Sequence, residues 1–254
     1  MLFDSHAHYD DARFDDDRDA LLCSLAAHGV GYVANIGADM RSSRAVAALA
    51  ERYPFCYAAV GVHPHDAKDF RPQDCDELTA LLRRPRVTAL GEIGLDYHYD
   101  LSDRAVQRRV FAQQMELARA LSVPVVIHER EALADTLSVL RAFPEVRGIL
   151  HCFSGSVETA REVLSLGYLI AFGGVITFKN ARRALDAARY VPDDRLLLET
   201  DCPYLAPEPC RGQRNDSTLL HHTAAKLAEL RGVTPEHIAR VTTENALRFY
   251  RAIS

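Results

Sequence analysis

The sequence predicts a single α/β domain, a (β/α)₈ TIM barrel, spanning residues 1–254. Three observations predict it. Short β-branched runs alternate with longer segments of helical period. The alternation repeats eight times. Most of the runs are continuously apolar, the pattern of parallel strands buried on both faces. The length, 254 residues, suits one such barrel.

The strand-like runs are LFDSHAH at 2–8, GYVANIG at 31–37, CYAAVGVHP at 56–64 and VTALGEIGLD at 87–96. They continue with VPVVIHE at 123–129, GILHCFSG at 148–155, YLIAFGG at 168–174 and RLLLETDCP at 195–203. Each gap is long enough for the crossover helix that parallel pairing requires. The clearest helix is expected over 102–122, with Ser102 as N-cap and Val106, Val110, Met115, Leu117 and Leu121 on its apolar side. After the last strand, PYLAPEPCRGQRNDS at 203–217 is too irregular for either element and reads as a long functional loop. Two helices follow. Thr234-Pro235-Glu236 marks the start of one, and TTENALRFY at 242–250 marks the start of the last.

Composition is that of an ordinary globular chain, 48% hydrophobic and 26% charged. No stretch approaches the roughly 20 apolar residues of a membrane span, and MLFDSHAHYD lacks the basic and apolar regions of a signal peptide. A cytoplasmic enzyme is the expectation, with no membrane partner; a monomer is compatible with the sequence. The six cysteines form no CxxC pair and are expected as free thiols, with Cys202 and Cys210 falling near the site described next. The formal net charge of −5 excludes a general electrostatic grip on nucleic acid. Bound divalent cations would reverse that sign locally.

The polar residues gather where a barrel keeps its active site, at the C-terminal ends of the strands. His6 and His8 end the first run, and His63 and His65 the third. Glu92, His128, His151 and Asp201 stand on the fourth, fifth, sixth and eighth. Six of the eleven histidines therefore fall at strand ends. Backbone pairing accounts for one or two such histidines, not for six. His6 and His8 are two apart, so on a strand both rings share one face. Imidazoles mixed with carboxylates suit zinc, manganese or iron, and carboxylates also suit magnesium. The expectation is a site for divalent metal. Lys179, Arg211 and Arg214 are the positive residues near this rim, and Arg211 with Arg214 forms a candidate phosphate clamp. The structural alternative has these arginines pairing with Glu208 or Asp216 to close the loop. Arg182 and Arg183 lie further along a helix and read as a solvated face.

DSHAH at 4–8, GVHPH at 61–65, GEIGLD at 91–96, HCFSG at 151–155 and ETDCPYLAP at 199–207 together resemble the TatD family of metal-dependent deoxyribonucleases. RGQRN at 211–215 and TTEN at 242–245 extend the match. The resemblance implies an amidohydrolase-like barrel with a two-metal site. It assigns His6 and His8 to one ion and His128 and His151 to the other. Glu92 bridges them, and Asp201 binds the first ion beside the attacking water. His63 would support a ligand or touch the substrate. The chain departs from the family's pattern at Cys210, where a histidine is common, and at Glu129-Arg130 after His128. Those departures touch substrate contacts, not the six ligand positions.

The implied activity is phosphodiester cleavage in a nucleic acid, most naturally DNA, with catalytic roles for Glu92 and Asp201. The same ligands could instead polarise the carbonyl of an ester or amide, as in an aminoacyl-tRNA deacylase. A non-catalytic nucleic-acid-binding scaffold is the third reading, and an intact set of six ligands argues against it.

Overall fold

The computed structural model describes residues 1–251. Its eight strands are β1 (Leu2–Ala7), β2 (Val30–Ile36), β3 (Cys56–Val60), β4 (Val87–Asp96), β5 (Val125–Arg130), β6 (Gly148–Leu150), β7 (Leu169–Phe172) and β8 (Leu196–Leu198). They form one sheet in chain order, β1 through β8. Among the described residues nine α-helices accompany them: α1 (Arg18–Ser24), α2 (Met40–Arg52), α3 (Asp74–Leu82), α4 (Arg104–Leu121) and α5 (Leu133–Ala142), then α6 (Val157–Ser165), α7 (Arg182–Tyr190), α8 (Leu220–Arg231) and α9 (Pro235–Tyr250). This is the predicted (β/α)₈ topology. Among the described residues no helix is long and apolar enough to cross a membrane.

The chain divides into two compact units. The first holds Met1–Asn35, His151–Ser165 and Leu169–Phe249. Here β1 pairs in parallel with β2, and β7 with β8. A parallel bridge between Ala7 and Cys202 joins the first strand to the end of the last. The His8 amide donates to the Cys202 carbonyl at 2.8 Å, and the Asp201 amide to the His6 carbonyl at 2.9 Å. These bonds place the residues after β8 beside the histidines of β1. Beneath them, Asp4 is fully buried. It accepts hydrogen bonds from the Thr200 hydroxyl at 2.6 Å, the Thr200 amide at 2.9 Å and the Ser217 hydroxyl at 2.6 Å. Tyr9 donates to Ser217 in turn at 2.9 Å. Burial pushes the Asp4 carboxyl up to about 7 against the pull of these donors.

The second unit holds Ile36–Leu150, Leu166–Tyr168 and, of the last described residues, Tyr250 and Arg251. Strands β3 to β6 pair in parallel, and all ten residues of β4 are buried. Two glutamines of α4 fasten its strand ends. Gln107 accepts the Asp96 amide at 2.9 Å and donates to the Asp96 carbonyl at 3.0 Å. Gln114 does the same for Val62, both bonds at 2.9 Å. Seven residues apart, the two lie on one helix face. Gly94, at φ +146°, is pressed against β5, and a Cβ there would lie 2.0 Å from the His128 carbonyl oxygen.

The structure corrects two boundaries. The N-cap of α4 is Asp103, whose side chain accepts from the Ala105 and Val106 amides; the Ser102 hydroxyl donates instead to the His65 carbonyl at 2.8 Å. TTEN at 242–245 does not open a last helix but lies within α9, which runs unbroken from Pro235. Its polar residues serve tertiary bonds: Asn245 donates to the carbonyls of Asp193 (2.6 Å) and Leu196 (2.9 Å), tying α9 to the start of β8.

Candidate metal centre

In the first unit, His6 and His8 project from the end of β1 with their Nε2 atoms 3.1 Å apart. Alternation of side chains along a strand puts both on one face. Asp201 sits past the end of β8 with φ +58°, in the left-handed region that a non-glycine residue seldom adopts. Its Oδ1 lies 3.3 Å from His8 Nε2 and 3.8 Å from His6 Nε2. The His151 ring stacks on His6 at 3.9 Å, nearly parallel. Burial pushes the Asp201 carboxyl up, but His8, His6 and His151 outweigh it, so the group stays ionised.

Glu199 completes this group and was not among the expected ligands. It is fully buried, and Oε1 accepts the Cys152 amide at 2.5 Å and lies 3.6 Å from His151 Nδ1. One nitrogen or oxygen from each of His6, His151 and Glu199 falls within a span fit for one cation. A signal for it existed in ETD: Glu199 and Asp201 are two apart, like His6 and His8.

In the second unit, Glu92 Oε1 lies 2.8 Å from His128 Nδ1 and 3.6 Å from His63 Nε2. These three residues form a second group with cation-binding spacing. His63 thus stands among potential ligands, where the resemblance left open a supporting or substrate role. Asp96 was also not anticipated. Its Oδ2 lies 2.9 Å from His65 Nε2 and 3.2 Å from His128 Nε2, so it orients both rings. Burial pushes this carboxyl up, and its bonds to His128, the Tyr99 amide and His65 reverse the shift to hold it below the usual carboxylate range.

The donor set fits divalent cations. It is all imidazole nitrogen and carboxylate oxygen. Glu199 Oε2 is buried and accepts no hydrogen bond among the described residues. A buried carboxylate needs a compensating positive charge, and among the described residues neither Glu199 nor Asp201 forms an ion pair with lysine or arginine. Cysteine takes no visible part. Among the described residues the six cysteines form no disulfide, and burial pushes the Cys202 thiol well up.

The positive residues separate by environment. Arg214 grips Asp17, donates to the Arg13 carbonyl and lies over Phe14. Its partner is therefore Asp17, not Glu208 or Asp216. Arg211 lies over the Phe178 ring at 3.7 Å and is exposed, as is Lys179. Arg182 and Arg183 begin α7 and are exposed, yet they also line a cavity of about 380 Å³ with Ser154, Phe178 and Asn180. Asn215 closes the 203–217 loop on itself, donating to the carbonyls of Thr200 (2.9 Å) and Tyr204 (2.6 Å).

Comparison with known proteins places these features. The family model described as "TatD related DNase" matches residues 3–251. The "uncharacterized metal-dependent hydrolase YabD" of Bacillus subtilis is 41% identical over 253 residues, covering 99% of each chain. The "3'-5' ssDNA/RNA exonuclease TatD" of Cronobacter sakazakii is 35% identical, covering 98% of this chain and 97% of its own. Among solved structures, the TatD homologue YJJV of Escherichia coli superposes with a TM-score of 0.93 at 31% identity, covering 98% of both chains.

Proposed function

We propose that this chain, which belongs to the TatD family of metal-dependent hydrolases, cleaves phosphodiester bonds in nucleic acid, DNA first, using two divalent ions. The observation that carries the proposal is the pair of imidazole–carboxylate groups at the strand ends, His6, His151 and Glu199 in one unit and His63, Glu92 and His128 in the other. The ligands proposed are His6, His8, Glu92, His128, His151 and Asp201, with Glu92 shared between the ions. Zinc, manganese and magnesium all suit the set.

Bound ions would polarise the phosphoryl oxygens and lower the pKa of water. The chain's own residues do the rest. Asp201, kept ionised by the imidazoles around it, accepts the proton of the attacking water. Asp96 fixes the His128 and His65 rings, so their other nitrogens hold a set direction. Lys179 and Arg211, both exposed, are the cations proposed to bind phosphate oxygens. No activated side-chain nucleophile stands in the group, since the Cys202 thiol is buried and held protonated. Direct attack by water follows.

The test is incubation of metal-reconstituted protein with end-labelled single-stranded DNA and, separately, with an aminoacyl-tRNA. The proposal expects shortening of the DNA that depends on metal. Release of the amino acid with intact DNA would instead establish the carbonyl chemistry.

A further inference from the structure

Beside the second ligand group, the loop after β4 presents a set of exposed planar side chains. Tyr99 is 54% exposed, unusual for a large aromatic residue in this chain. The Arg130 guanidinium lies over its ring at 4.7 Å. The rings of His65 and His98 stand edge-on to it, at 5.4 Å and 88° and at 4.9 Å and 83°.

This array is held to the ligand group by one buried residue. Asp96 Oδ1 accepts the amides of His98 at 3.0 Å and Tyr99 at 2.9 Å, which folds the loop. Its Oδ2 faces His65 and His128. Arg130 is the register partner of Asp96 on β5. The platform is thus built into the same two strand ends that carry Glu92 and His128.

Position and charge together single out Arg130, which stands at the strand end opposite Asp96. Arg104 and Arg108 of α4 are paired with Asp100 and Asp135. Among the described residues Arg130 forms no ion pair, and its guanidinium meets only the Tyr99 ring. Two other exposed tyrosines carry an arginine: Arg161 of α6 lies over Tyr190 at the end of α7, at 5.5 Å and not at a strand end. Arg13 covers Tyr204 at 4.3 Å but is paired with Asp11. In a chain of net charge −5, an unpaired guanidinium stacked on an exposed ring is suited to a ligand both flat and anionic. Nucleic-acid bases stack on aromatic rings and on guanidinium planes, while phosphate takes the charge.

We propose that Tyr99 and Arg130 form a stacking subsite for one nucleotide of a single strand beside the His65–Asp96–His128 group. This inference rests on the proposed nuclease reading. It adds that the protein senses a base and not only the phosphodiester backbone.

The test compares two fluorescein-labelled strands, oligothymidylate and an abasic strand of equal length, both with phosphorothioate linkages that resist cleavage. Binding to the metal-reconstituted protein is read by anisotropy. The wild type should favour the thymidylate strand by on the order of tenfold. Tyr99→Phe should keep this ratio, and Tyr99→Leu should bring it close to one. Arg130→Ala should weaken both strands and lower the salt slope by about one. A Tyr99→Leu protein that keeps the wild-type ratio overturns the inference. A wild type that cleaves ordinary DNA but shows no base preference overturns the inference alone. A wild type that neither binds nor cleaves a strand overturns the nuclease reading and the inference with it.

Discussion

The Arg214 guanidinium holds the Asp17 carboxylate with two nitrogens, at 2.8 and 2.6 Å. Among the described residues Arg211, three residues earlier, forms no ion pair and lies over the face of Phe178. The two arginines of one loop are therefore expected to behave differently. Arg214→Ala unties the loop from residues 13–17 and should lower the melting temperature. Arg211→Ala should leave the melting temperature unchanged and reduce the salt slope of nucleic-acid binding by about one, the signature of one lost phosphate contact. Melting curves and Michaelis constants at several salt concentrations check both.

Metal removal gives the second prediction. Elemental analysis should find up to two divalent ions per chain, and a chelator should abolish hydrolysis, with activity restored on adding metal back. Full activity in excess chelator would exclude the proposed chemistry.

Glu92 is 3% exposed and lies 2.8 Å from His128. As the proposed shared ligand its loss weakens both ions. Replacing a group that merely orients a ligand typically costs about 10–100-fold, so Glu92→Gln should cost on the order of a hundredfold or more in turnover. Far-ultraviolet circular dichroism should stay unchanged. Near-normal turnover would show that the bridge lies elsewhere.

Glu199 contributes a buried carboxylate oxygen with no hydrogen bond among the described residues. Glu199→Gln keeps an oxygen for the Cys152 amide but removes the charge. Metal titration followed by calorimetry should show weaker binding of one ion, with little change in melting temperature of the metal-free protein.

Asp4 is the acceptor that joins β1 to Thr200 and Ser217. Asp4→Ala strands several buried donors, each costing about 1–3 kcal/mol. Stability to denaturant should fall by about 3 kcal/mol or more, while Asp4→Asn, which retains one acceptor oxygen, should lose less.

Much of this molecule follows from local pattern. Short, β-branched, continuously apolar runs fit strands covered on both faces, and eight of them separated by helical segments point to the barrel topology. Histidines two apart on β1 share a face because a strand alternates its side chains, so His6 and His8 are legible as a pair before any contact is known. The same period tied Glu199 to Asp201 and Asp96 to Glu92, but a period alone does not say which carboxylates lie against imidazoles. Only the tertiary structure decided that. It set Glu199 beside His151 and Asp96 between His65 and His128. It also gave Arg214 to Asp17, a residue 197 positions earlier, and left Arg130 with Tyr99. Chain periodicity reports which face a residue occupies; a salt bridge or ligand shell depends on distances between strands and loops far apart in sequence, which exist only once the sheet has folded.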